Sequence, residues 1–237
     1  MKRTIIMISG WAHPAKALRP LADRFRGQFE VILLSTLELS EYAESLTSLL
    51  RERSSPPLLL GWSMGGLIAL QTALAAPDRV AGLILLSSTA RFCSGAGYPP
   101  GTEERQVRGL SVAVRKSALA ALTQFLQDAA HPTRIASKHL QTKLEHSLEF
   151  GADRLCQDLR YLIETDVREP IHQLVAPTLI LHGREDRIIP AGASAWMHAH
   201  LPNSHLRLED QTGHDLPLRH PDLVFAETMK YFEESGP

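Results

Sequence analysis

The sequence predicts an α/β fold, a mostly parallel sheet of about six strands interrupted by an inserted helical cap. Three observations predict it. Short apolar runs bounded by turn residues recur along the chain, helix-like segments separate the early ones, and the alternation breaks between about Arg91 and Asp166.

The apolar runs are Thr4–Ser9, Phe29–Leu34, Pro57–Gly61, Gly82–Ser87, Pro177–His182 and His205–Glu209. Most lack polar alternation, so most read as parallel strands buried on both faces. Ala17–Phe25, Tyr42–Arg51 and Met64–Ala75 supply the first intervening helices. After the fourth strand Gly95, Gly97, Pro99, Pro100 and Gly101 form a flexible entry to amphipathic segments at Val107–Val114, Ala118–Ala129, Thr133–Glu149 and Arg154–Ile163. The core is therefore expected at residues 1–90 and 167–237, with the cap at 91–166.

A chain of 237 residues suits one α/β domain with such an insertion. Lys and Arg number 25 against 26 Asp and Glu, so no global field favours nucleic acid or a membrane surface. No run approaches the roughly 20 apolar residues of a membrane helix, and the apolar start after Lys2 and Arg3 is too short for a signal peptide. Cys93 and Cys156 lie far apart without metal-ligand spacing, which points to no metal, no cofactor and a reducing cytoplasm. A monomer is expected.

Gly61-Trp62-Ser63-Met64-Gly65-Gly66 follows an apolar run and opens a helical one, the context a G-x-S-x-G elbow requires. Its tight strand-to-helix turn needs small flanking residues and holds Ser63 at a strand end. A serine hydroxyl is a weak nucleophile and needs a base. Among 11 histidines, His214 in Thr212-Gly213-His214-Asp215 follows the last predicted strand, where a loop carries it back over the strand ends. His198, His200 and His205 are expected on or near a surface helix, and His131, His139 and His146 in the cap. Asp186, preferred to Glu185, stands after the penultimate strand as the acid that orients the imidazole. The chain order Ser, Asp, His matches that pattern. The backbone N–H groups of Trp11, after the first strand, and of Met64, after the nucleophile, are candidate donors to an oxyanion.

These residues resemble the α/β-hydrolases, and within them the pimeloyl-acyl-carrier-protein methyl ester esterases of biotin synthesis. The resemblance spans nearly the whole chain. It rests on Gly10-Trp11, the elbow through Leu67, Pro77-Asp78-Arg79-Val80, Ser87-Ser88, Thr165-Asp166-Val167-Arg168-Glu169-Pro170-Ile171 and Gly213-His214. It implies that Trp11, Ser63, Met64, His214 and the segment Phe125, Leu126, Gln127, Asp128 and Ala129 touch substrate. Phe125 reads equally well as cap core.

Three departures stand out. The chain starts almost at the strand before Gly10, without the antiparallel strands that usually precede it. Ser9 replaces a common histidine. Ala120 and Gln124 stand where the family presents arginines to an acidic acyl-carrier protein. Arg134 and Lys138, four apart on one expected helical face, with Arg115 and Lys116 nearby, offer a displaced basic patch; a solvated charged face is the alternative.

The expected chemistry is hydrolysis of the methyl ester of a pimeloyl chain on acyl-carrier protein, through an acyl-Ser63 intermediate. A general short-chain carboxylesterase, a hydrolase cleaving a thioester or a carbon–carbon bond, or a ligand-binding module with vestigial catalysis are the other readings.

Overall fold

The structure is a computed structural model describing residues 2–95, 97, 98 and 100–234, with Glu234 in backbone only. Pro99 of the expected entry loop, Met1 and residues 235–237 lie outside the described residues. The described strands are β1 (Arg3–Ile8), β2 (Phe29–Leu34), β3 (Leu58–Trp62), β4 (Gly82–Leu86), β5 (Thr178–Gly183) and β6 (Ser204–Glu209). They form one parallel sheet in the order β2-β1-β3-β4-β5-β6.

Two-residue alternation divides the inner strands between two cores. Ile5, Met7, Leu58, Leu60, Trp62, Ile84, Leu86, Leu179 and Leu181 pack on one face. There they meet Leu21 and Phe25 of α1 (Arg19–Phe25), Leu216 of α9 (Leu216–Arg219) and Val224 of α10 (Pro221–Glu234). Ile6, Ile8, Leu59, Leu83, Leu85 and Ile180 face the other way, toward α2 (Ala43–Arg51), α3 (Met64–Ala75) and the cap. The edge strands differ: beyond Phe29, β2 is half-buried or exposed, as is β6. Each has a partner on one side only.

The first helix starts later than expected. A 3-10 turn occupies Ala15–Leu18 and α1 begins at Arg19, because Pro20 has no N–H and fits a helix only in its first turn.

Between β4 and β5 lie α4 (Glu104–Lys116), α5 (Ala118–Ala129), α6 (Ser137–Leu148) and α7 (Gly151–Glu164). The two ends of this insertion meet: Arg91 bridges Asp166 as an isolated β-pair, and Val167 N–H donates to Ala90 O at 3.0 Å. α7 is fastened to the core through Asp158, whose fully buried carboxylate accepts from Thr36 Oγ1 (2.7 Å), Tyr42 Oη (2.9 Å) and Arg154 Nε (2.8 Å).

The expected helix at Thr133–Glu149 is shorter, since α6 starts at Ser137. The Gln127 side chain accepts from Ile135 N–H (3.3 Å) and donates to Ile135 O (3.4 Å), holding the connector outside helical geometry. Arg134 consequently lies in that connector and Lys138 in the first turn of α6, so they do not share a helical face.

Candidate active site

The chain leaves β1 toward β2 on one side of the sheet and returns to β3 on the other, which opens a crevice at the carboxyl ends of β1 and β3. The loops after β1, β3, β5 and β6 meet there.

Ser63 caps α3 with φ 56° and ψ −122°, backbone that an L-residue holds only under constraint. The constraint is visible in its bonds: Ser63 N–H donates to Leu86 O at 2.9 Å, and Ser63 O accepts from Gly66 N–H and from Ser88 Oγ, both at 2.9 Å. Glycine makes the turn possible. A Cβ on Gly61 would sit 2.4 Å from Gly66 Cα, and one on Gly10 would sit 2.9 Å from Ser63 Cβ. The second contact fixes how closely the β1 loop approaches the elbow.

Ser63 Oγ lies 2.8 Å from His214 Nε2, and His214 Nδ1 lies 2.8 Å from Asp186 Oδ2. All three side chains are buried. Asp186 Oδ1 accepts from the N–H groups of Ile188 (2.8 Å) and Ile189 (2.9 Å). Burial pushes this carboxyl upward, but the charge of His214 and hydrogen bonds from His182 and His214 outweigh it and hold Asp186 well below the usual carboxylate range. An ionised Asp186 fixes Nδ1 as the protonated nitrogen of His214, leaving Nε2 to accept from the serine.

Glu185, passed over as the acid, braces the histidine loop instead: its Oε2 accepts from Thr212 N–H at 3.0 Å. Trp62, the variable residue of the elbow, donates from Nε1 to His214 O at 2.8 Å.

Trp11, in the loop after β1, and Met64, the first residue of α3, flank the serine. Both are buried, and among the described residues neither backbone N–H has an acceptor. Both N–H groups are therefore available to a further acceptor. The Trp11 ring has a separate task. Its Nε1 donates to Leu155 O of α7 at 3.0 Å, and it meets the Phe125 ring in a T-shaped contact at a centroid distance of 4.6 Å.

Ser63, Trp11 and Phe125 open onto a cavity of about 350 Å³. Its wall is mostly apolar, with Phe92, Val107, Leu110, Leu159, Leu162 and Ile188, while Glu103, Gln106 and Arg187 add polar groups. Of the five cap residues 125–129, Phe125 lines this cavity. Leu126 and Ala129 are buried as cap core. Gln127 and Asp128 border a second, polar recess of about 770 Å³ with His131, Arg134 and Arg187. Arg187 stands in both walls. The α4 and α7 wall residues were not singled out from sequence, because their periodic apolar pattern does not separate a cavity wall from a packed core.

Of the expected basic patch, Arg115 pairs with Asp153 at 3.4 Å, whereas Lys116, Arg134 and Lys138 are exposed without a carboxylate partner among the described residues. His198 and His200 lie on α8 (Gly192–His200), whereas His205 lies in β6 and not on a helix. Cys93 and Cys156 are buried free thiols. Among the described residues no group of three His, Cys, Asp or Glu is gathered for a metal, and no helix is long and apolar enough to cross a membrane.

A parallel sheet with an elbow serine after its third strand, facing an imidazole and a carboxylate from later strand ends, defines the class: proteins with a nucleophile elbow on a doubly wound sheet. The chain belongs to the alpha/beta hydrolase family, which it matches over residues 5–227. It is 30% identical to a pimeloyl-[acyl-carrier protein] methyl ester esterase of Nitrosomonas europaea, covering 92% of this chain and 91% of the relative. An enzyme of the same name from Aliivibrio salmonicida is 26% identical, covering 97% and 92%. Among solved structures, an esterase from Exiguobacterium antarcticum superposes with a TM-score of 0.89 at 21% identity, covering 97% of this chain and 91% of that one.

Proposed function

We propose that the chain is a serine carboxylesterase that hydrolyses the methyl ester of a pimeloyl group carried on acyl-carrier protein, a step of biotin synthesis. The observation that carries the hydrolase part is the unbroken line from Ser63 Oγ through His214 to Asp186 on the wall of an apolar cavity. The names of the relatives support the substrate.

In this reading His214 Nε2 takes the Ser63 proton as Oγ attacks the ester carbonyl, and Asp186 stabilises the imidazolium. The Trp11 and Met64 N–H groups receive the oxyanion. The tetrahedral intermediate expels methoxide, which leaves as methanol with the proton from His214. Water then gives a proton to His214 and attacks the acyl-Ser63 carbonyl; the C–Oγ bond breaks, His214 returns that proton to Ser63 Oγ, and the carboxylic acid is released. The acyl chain lies along Phe125, Leu110 and Leu162. Its carrier-bound end leaves past Arg187 toward the polar recess and Arg134, with Lys116, Arg115 and Lys138 on the surrounding cap surface as the docking charges.

Complementation of a biotin auxotroph lacking its methyl ester esterase tests the assignment. Growth restored by wild type but not by Ser63→Ala is the expected result. Well-expressed wild-type protein that does not restore growth, yet cleaves free short-chain esters, would mean a general carboxylesterase.

A further inference from the structure

Asp186 Oδ2 has a second partner besides His214. His182, the penultimate residue of β5, is fully buried and places Nε2 at 3.1 Å from Asp186 Oδ2 and 2.9 Å from Ile189 O. A carbonyl and a carboxylate both only accept, so Nε2 carries the proton and is shared between them. On the far side Nδ1 lies 2.6 Å from Ser194 Oγ, which can donate its hydroxyl proton to that nitrogen. The ring is thereby pinned at both ends in one orientation and one tautomer.

The carboxylate is left with four donors: two backbone N–H groups on Oδ1, and two imidazole N–H groups on Oδ2. Its plane cannot turn without breaking several of these bonds. We infer that His182 is a positioning residue of the reaction, which holds Asp186 in line with His214 and draws part of its negative charge away from the His214 proton. The inference rests on the reading of Ser63, His214 and Asp186 as the catalytic line.

The electrostatic consequence has a definite sign. Without the His182 N–H, the Asp186 charge falls more fully on His214, which then keeps its proton to higher pH. The acid limb of kcat/KM, which reports loss of the base, moves upward. His214 also faces His13 and Asp215, and Lys143 and Arg219 face Asp215; a change at position 182 leaves these groups as they are.

The test compares His182→Met, which removes both ring nitrogens at similar volume, with His182→Gln, whose amide can still donate. Expected are a loss of roughly tenfold in kcat with KM little changed for His182→Met, an acid limb displaced upward by about half a pH unit, and recovery of both in His182→Gln. A folded His182→Met enzyme with the wild-type limb would overturn the inference.

Should the Met variant not fold, ¹⁵N chemical shifts of the wild-type imidazoles decide. The Nε2-protonated tautomer of His182 is expected, and a proton resident on Nδ1 instead would overturn the inference. Labelling of wild type by a fluorophosphonate probe is scored separately. A wild-type protein that neither labels nor turns over ester refutes the catalytic line itself, whereas labelling with an unmoved limb refutes only the role of His182.

Discussion

The indole of Trp62 donates a hydrogen bond to the backbone carbonyl of His214 at 2.8 Å, so the residue beside the nucleophile in sequence also ties down the loop that carries the base. The His13 ring packs on the same indole at a centroid distance of 4.3 Å, and His13 Nδ1 lies 2.8 Å from Trp11 O. Three loops that supply the hydroxyl, the imidazole and the Trp11 N–H are thus joined through Trp62 and His13.

Trp62→Phe keeps most of the packing but leaves the buried His214 carbonyl without its donor. We expect a loss of about 1–3 kcal/mol in unfolding free energy, read from the urea midpoint, together with a fall in kcat. An unchanged midpoint would show that the bond contributes nothing net.

Ser63→Ala tests the nucleophile directly. The Ser63 side chain makes no capping bond to α3, so thermal stability should be little affected. kcat should fall by about 10⁴-fold or more and fluorophosphonate labelling should vanish. Residual turnover within tenfold of wild type would exclude Ser63 as the attacking group.

His13 predicts an acid-labile fold. Burial, with Lys143 and His214 nearby, lowers its pKa from 6.5 to about 3, so the folded protein holds it neutral where the unfolded chain protonates it. The unfolded state then binds the extra proton, and stability is lost as pH falls from about 6.5 toward 3, at up to about 1.4 kcal/mol per pH unit. The low Asp186 pKa adds nothing in most of this window, because its contribution is lost only as pH falls below the ordinary carboxylate value. Asp158 and Asp215, raised chiefly by burial, act in the opposite sense. A His13→Asn variant isolates the histidine: its urea midpoint between pH 6.5 and 4 should fall less steeply than that of wild type.

Leu110→Trp would fill part of the cavity beside Ser63. kcat/KM for methyl esters of about seven-carbon acyl chains should drop at least tenfold relative to that for acetate esters. A parallel drop in both would place the acyl chain elsewhere.

Much of this arrangement was legible in the sequence because strand runs and the elbow are local patterns. α3 and α5 coincide with the expected Met64–Ala75 and Ala118–Ala129, and the six expected runs fall on the six described strands. His214 and Asp186 stand out by their places after the last two strands, and the structure sets His214 Nε2 against Ser63 Oγ and Asp186 against His214 Nδ1. What escaped was long-range or irregular. Glu185 and Thr212 meet across 27 positions, and nothing local to either announces it. His182 reads as an ordinary strand residue until the loop after β5 folds back against it. The late start of α6 depends on Gln127, eight residues upstream of Ile135, a tertiary brace that helical periodicity does not register.

The last turn of α5 is bound to the histidine loop: Asp215 N–H donates to Ala129 O at 3.1 Å, and Gly213 packs so tightly under His131 O that a methyl group there would overlap it. Lifting that end of the roof would therefore drag the base away from the serine and disarm the enzyme. Substrate that enters while the base stays armed must do so without displacing this end of the roof, so replacements that loosen it should slow bond-making before they alter exchange with solvent.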